Sequence, residues 1–379
     1  MASQRGVSYP ALVALCLLLA LIVGGGCPSY QQRPGTTIGA PQHYVQLGRE
    51  RIYVKERGAH HGGPALLLIH GYGSAHDAWE LIAPRLAKRY RVLSVDLPGF
   101  GRSDKYEGDY SPAALARKLR KLLDEKGVRE VHLIAHSWGA SIALAFTLQT
   151  PQRVRSVTVM GAWVFEEQLP AFIRWSRIPG VGEALYALFY DQRLDDRMAL
   201  AFYEPGRFVH PTVIDAVRRQ LACPGSIRAA LQAARQQDFT AQQKRYHTIK
   251  TPALLIWGKQ DRVSLTRFAH RLDKTLPNSE LLLIDHCGHI PAMERPNRVL
   301  SRLLPFLARH HGSKRTVEPP PTHTSRRRPQ HRRPLSRPQK TVRQTTRMAH
   351  LLGYEVGSAA QHPARSRRSG QALENAEVR

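Results

Sequence analysis

Four polar clusters interrupt the apolar runs of this chain: HGYGS at 70–74, AHSWGA at 135–140, WGKQDR at 257–262 and HCGHIP at 286–291. In or beside them stand the Ser137 hydroxyl, directly after an apolar run, two carboxylates, Asp261 and Asp285, and four imidazoles, His70, His136, His286 and His289. A serine hydroxyl attacks a carbonyl carbon only when a neighbouring base takes its proton. Histidine suits that task, with an ordinary pKa of about 6.5. A carboxylate on its other ring nitrogen fixes the tautomer and stabilises the imidazolium that forms. The chain supplies such groups in the order Ser137, Asp261, His289. A serine between an apolar run and a helix also serves as an ordinary N-cap, so its surroundings must decide.

Those surroundings alternate between strand and helix. ALLLIH (65–70), RVLSVDL (91–97), REVHLIAH (129–136), VRSVTVMGA (154–162), PALLIWG (252–258) and SELLLID (279–285) are expected strands. Residues 77–89, PAALARKLRKLLDEKG (112–127), WGASIALAFTLQ from Trp138 and residues 293–309 are expected helices, the second with apolar positions three and four apart. HYVQLGRERIYVKERG adds two short strands turning at Gly48. Continuous Val/Ile/Leu strands separated by helices imply an α/β fold, a mostly parallel sheet covered on both faces. In such sheets ligands bind beyond the carboxyl ends of the strands, where all four polar clusters fall. Residues 163–250 break the alternation with helical patterning and ten aromatics between Trp163 and Phe208, and are expected to cap a site. The core is then 43–162 with 251–311.

From 43 to 310 the chain resembles the α/β-hydrolase superfamily, in its serine-nucleophile, exported lipase/esterase-type members. HGYG resembles that family's His-Gly loop, DLPGFGRSD (96–104) its Asp-x-Pro-Gly-x-Gly-x-Ser loop, AHSWGA its nucleophile elbow and GHIPAMERP (288–296) its histidine loop. The resemblance implies Ser137 as nucleophile and His289 as base. It implies Asp261 rather than Asp285 as acid, because Asp261 follows the penultimate strand. Ala135 stands where the elbow usually has glycine, and with Gly139 it meets the demand for small residues around a tight turn. The oxyanion donors implied are the N–H groups of Tyr72, after His70-Gly71, and of Trp138. His70 is expected to hold its loop in shape, His136 to point away from the reacting groups, and Asp96, Pro98 and Gly99 to shape a loop. Carboxylic ester hydrolysis through an acyl-enzyme, without cofactor or metal, is the activity implied, on a small-molecule or lipid ester. Carbon–carbon hydrolysis of the meta-cleavage type is the alternative. Dehalogenases and epoxide hydrolases of this fold use an aspartate nucleophile, which Ser137 excludes.

The ends carry a different signal. Residues 1–27 hold Arg5, an apolar stretch from Ala11 to Val23 and three glycines before Cys27, the layout of an export signal. Thirteen apolar residues fall short of the roughly 20 of a membrane-spanning helix. Cys27 resembles a bacterial lipoprotein's lipidated cysteine, so an exported lipoprotein held at a membrane through a linker at 28–42 is expected, with an uncleaved apolar anchor or a plain secretory signal and a periplasmic or extracellular protein as the alternatives. Cys223 and Cys287 remain, read as free buried thiols, and no Cys–His spacing fits zinc. The net charge is +27, and residues 312–379 hold 15 Lys/Arg against 4 Asp/Glu. That tail is too polar to bury a core and is expected to be disordered. It lacks the interleaved aromatics of a single-strand nucleic-acid binder. A non-catalytic binding protein working through its basic tail is the remaining alternative class.

Overall fold

The computed structural model describes residues 41–190 and 194–312. Cys27 with the expected export signal, the linker up to residue 40 and the basic tail from residue 313 lie outside the described residues. Among the described residues no helix is long and apolar enough to cross a membrane.

The strands are β1 (Tyr44–Leu47), β2 (Glu50–Arg57), β3 (Ala65–Ile69), β4 (Val92–Val95), β5 (Val131–His136), β6 (Val154–Met160), β7 (Ala253–Gly258) and β8 (Ser279–Ile284). They form one sheet in the order β1-β2-β4-β3-β5-β6-β7-β8. β2 runs antiparallel to β1 and β4, and every pairing from β4 to β8 is parallel. The helices are α1 (Pro112–Glu125), α2 (Gly139–Gln149), α3 (Ala171–Ser176), α4 (Val181–Phe189), α5 (Leu194–Ala201), α6 (Pro211–Leu221), α7 (Ser226–Arg235), α8 (Thr266–Thr275) and α9 (Pro296–His311).

Alternation along the central strands feeds two cores. Leu67, Ile69, Leu133 and Leu255 face the layer of α1, α2 and α8. Leu66, Leu68, Ile134 and Ile256 face α9 and the segment between β3 and β4. Each fully buried leucine contributes roughly 1.5–3 kcal/mol, which is why these strands read as unbroken apolar runs. α1 begins where the Ser111 hydroxyl accepts the Ala114 N–H at 3.3 Å, with Pro112 in the first turn. It buries Leu115, Leu119, Leu122 and Leu123 on one side. α2 is buried all round from Gly139 to Thr147, because it lies between the sheet and α1.

Two expected helices differ. Residues 77–89 contain only a 3₁₀ turn at His76–Trp79 and one α-turn at Ala83–Leu86. Pro84 has no N–H to bond back to Glu80, so the two turns cannot fuse. The closing helix is likewise split into Pro291–Glu294 and α9, which starts on Pro296. Between β6 and β7 the chain inserts α3 to α7. This insertion reaches the loops at the carboxyl ends of the strands: the Tyr72 hydroxyl meets Tyr186 of α4 at 2.7 Å and donates to the Ala230 carbonyl of α7 at 2.8 Å.

Candidate active site

β5 ends on His136, and the next residue turns the chain into α2. Ser137 sits at φ 52°, in the left-handed region that side chains avoid. Three backbone bonds hold it there. Its N–H donates to Met160 O at 2.9 Å, and its carbonyl accepts from Trp163 N at 3.0 Å and Ala140 N at 3.0 Å. The turn has no space beside it. A Cβ on Gly139 would overlap the His70 carbonyl oxygen and lie 2.7 Å from Ile69 O, and one on Gly71 would lie 2.9 Å from Ser137 Cβ. Ala135, fully buried, pairs with Ile69 on one side and Val159 on the other.

The loop after β8 brings His289 to this turn. Nε2 lies 3.0 Å from Ser137 Oγ, and Nδ1 lies 2.9 Å from Asp261 Oδ2. An ionised carboxylate only accepts, so Nδ1 carries the proton and Nε2 presents its lone pair to the serine hydroxyl. Asp261 is buried, with Oδ1 accepting the N–H groups of Val263 at 2.8 Å and Ser264 at 2.7 Å. The rival groups stand elsewhere. Asp285 is exposed and pairs with Lys259 at 2.9 Å, and the Lys259 and Gln260 hydrogen bonds hold it down to about 2. His286 faces solvent with its ring against Tyr203.

His70 ties two loops together, since Nδ1 donates to Gly71 O at 2.7 Å and Nε2 accepts the Leu97 N–H at 2.9 Å. Asp96 accepts the His76 N–H at 2.6 Å, His76 Nδ1 at 2.8 Å and the Arg102 N–H at 2.8 Å. Burial alone would raise this carboxyl, but His76 and those donors hold it down to about 2. Among the described residues, the N–H groups of Tyr72 and Trp138 donate to no protein acceptor. Beyond Tyr72 a shallow cleft opens against the insertion, lined by Gly73, Phe100, Lys105, Tyr190 and Leu221.

One expectation needs correction: His136 does not point away. Its Nε2 donates to the His289 carbonyl at 2.9 Å, and its ring lies 4.8 Å from the His289 ring. Burial, and then the neighbouring His289, lowers it to about 3, so it stays neutral. The thiols are free, but Cys223 is only half-buried while Cys287 is fully buried.

Three residues around this site carried no signal of their own. Gly161, at φ 52°, lies so close that a Cβ would come within 3.0 Å of His289 Nδ1 and 3.2 Å of Asp261 Oδ2. Glu294 accepts the N–H groups of Gly288 at 2.9 Å, Ile290 at 3.3 Å and Tyr203 at 2.7 Å, and so clamps the histidine loop. Gln168 donates to Ala162 O at 2.9 Å and Ser264 Oγ at 2.8 Å, tying the end of β6 to the Asp261 loop. A glycine directly after a strand was the only local hint for Gly161.

Residues 64–296 match the family model of the alpha/beta hydrolase fold. The chain belongs to the alpha/beta hydrolase family. This hydrolase is 30% identical over 286 residues to the 2-hydroxy-6-oxononadienedioate/2-hydroxy-6-oxononatrienedioate hydrolase of Paraburkholderia phymatum, an alignment covering 72% of this chain and 97% of the relative. Among solved structures it is similar to a putative lipase from Acinetobacter baumannii AYE, at TM-score 0.61 and 22% identity, over 82% of this hydrolase and 98% of the lipase. It is also similar to the meta-cleavage product hydrolase of Pseudomonas fluorescens IP01, at TM-score 0.60 and 22% identity, over 72% and 98% of the two chains.

Proposed function

We propose that this hydrolase cleaves carboxylic esters through Ser137, His289 and Asp261. The observation that carries the reading is the continuous chain from Ser137 Oγ through His289 to Asp261, at 3.0 and 2.9 Å, beside two unclaimed backbone donors. Ser137 Oγ attacks the ester carbonyl carbon while its proton passes to His289 Nε2. The carbonyl oxygen takes up the negative charge and is met by the N–H groups of Trp138 and Tyr72. Collapse breaks the bond to the alcohol oxygen, which leaves with the proton from His289, and the acyl group stays on Ser137. Water then attacks the acyl carbon, giving its proton to His289. The second collapse releases the carboxylic acid and returns that proton to Ser137 Oγ. Asp261 holds the ring and offsets the imidazolium charge throughout.

Aromatic surroundings favour an apolar acyl group. The Tyr72 ring packs edge-on against Phe100 at 5.7 Å and Trp138 at 5.9 Å, and its hydroxyl is occupied by Tyr186 and Ala230. The relative at 30% identity, by name a 2-hydroxy-6-oxononadienedioate/2-hydroxy-6-oxononatrienedioate hydrolase, supports the second reading, carbon–carbon hydrolysis of the meta-cleavage type. Residues 1–27 support export, with attachment at a membrane through Cys27 or an uncleaved apolar segment.

The deciding experiment compares p-nitrophenyl esters of graded chain length with a 2-hydroxy-6-oxo-dienoate, using Ser137→Ala and a fluorophosphonate probe as controls. Ester turnover that dominates, with labelling abolished in Ser137→Ala and turnover reduced on the order of 10⁴-fold or more, is expected. Preferred turnover of the dienoate would move the assignment to carbon–carbon hydrolysis. Absence of labelling in folded protein would refute a reactive Ser137.

A further inference from the structure

α3 and α4 form a helical hairpin, and both rest on α7. Their inner side is well seated. Ile173 and Ser176 of α3 and Gly182 and Tyr186 of α4 are buried, and Arg235 Nε of α7 donates to Ser176 O at 2.7 Å. A Cβ on Gly182 would lie 2.9 Å from Arg235 Nη2, so glycine there lets α4 sit close. Six further apolar residues face water: Phe172 is 40% exposed, Trp175 55%, Ile178 51%, Val181 41%, Leu188 37% and Phe189 56%. Single exposed apolar side chains are ordinary, but six on one hairpin make a patch of the kind that marks an interaction site.

We propose that this outer face of α3 and α4 docks on a membrane surface carrying anionic lipid headgroups. Charge on the hairpin selects that occupant. Arg174, between Phe172 and Trp175, is exposed and forms no ion pair among the described residues. The one carboxylate on α3 and α4, Glu183, is neutralised by Arg235 at 2.5 Å, and Glu166, before α3, by Arg177 at 2.6 Å. The face therefore offers aromatic and aliphatic anchors with net positive charge, the combination that binds an anionic interface. A two-fold dimer through the same face would bring both copies' unpaired Arg174 into one interface, in a chain of net charge +27. Docking also reaches the site mechanically, because α4 carries Phe189 outside and Tyr186, the partner of the Tyr72 hydroxyl, inside. It is independent of which bond Ser137 cleaves.

Trp175 provides the readout, since Trp79, Trp138 and Trp257 are fully buried and Trp163 is half-buried. Full-length protein is mixed with phosphatidylcholine vesicles containing phosphatidylglycerol, with and without brominated acyl chains. Trp175 emission shifts to the blue and is quenched by the brominated chains, and the quenched component vanishes in Trp175→Phe. The pair Trp175→Ser and Phe189→Ser weakens vesicle binding about tenfold or more, with an unchanged thermal midpoint showing that the fold is intact. Equal vesicle affinity of this double variant and the wild type, without Trp175 quenching, overturns the proposal and assigns binding to the chain ends. Equal binding to pure phosphatidylcholine overturns the anionic headgroup. A concentration-dependent dimer abolished by the double variant overturns the membrane and makes the occupant a second copy.

Discussion

Acidification from about pH 8 to about pH 5 is expected to remove about 4 kcal/mol of folding stability through two buried imidazoles. His132 is fully buried on β5, with Nδ1 2.7 Å from the Ser156 hydroxyl on β6. Burial, then the charges of His311 and Arg155, lowers it to about 3. His136, two turns of the pleat further on, is lowered to about 3 by burial and then by His289. Both are neutral in the folded protein and have a pKa of about 6.5 in the unfolded chain. Between those values the unfolded chain binds protons that the folded chain refuses. The contribution is therefore whole above about pH 6.5 and is lost as the pH falls towards 3. At pH 5 each site costs about 2 kcal/mol, a large share of a total of roughly 5–15 kcal/mol. His70, lowered by burial, adds to the loss. For His76 burial is outweighed by Asp96, its pKa is raised, and it offsets part of the loss because its stabilisation is gained below the unfolded value. The His132→Gln variant isolates one site, since the amide keeps a bond to Ser156 and does not titrate. Urea unfolding at the two pH values should show its pH-dependent loss smaller than that of the wild type by about 2 kcal/mol. An equal loss in variant and wild type would refute the burial argument.

Two substitutions probe the supports of the site. Gly139→Ala drives a methyl into the backbone carbonyls of His70 and Ile69, and should cost about 1–3 kcal/mol in urea unfolding while lowering kcat, because the Ser137 turn must shift. Glu294→Ala leaves the N–H groups of Gly288, Ile290 and Tyr203 without their acceptor. About 2–4 kcal/mol of lost stability is expected, with kcat falling more than KM rises, since the histidine loop and not the substrate is released. Unchanged kcat in that variant would show that the clamp does not position His289.

Much of this architecture is written locally. Runs such as ALLLI and HLIA are buried on both faces, so their composition alone separates them from half-exposed strands, and Gly139 and Ala135 are small because a turn at Ser137 leaves no room. The order of Ser137, Asp261 and His289 at strand ends was equally legible, since parallel strands put their carboxyl ends on one edge. Distances across that edge were not. β5 and β8 are separated in the sheet by β6 and β7, and only the folded path of the histidine loop shows that it returns over β5. That path brings the His289 carbonyl to His136 and sets Gly161 against the imidazole. Glu294 was opaque for the same reason, because its three partners come from residues 203, 288 and 290. A buried carboxylate looks like a surface one until its donors are assembled. The sequence by itself therefore determined the strand-turn-helix frame and the candidate reacting residues, whose signals lie within one element. The tertiary structure alone decided that Asp261 reaches His289 and His289 reaches Ser137, as the resemblance implied, and what holds them there, because those contacts join residues remote along the chain.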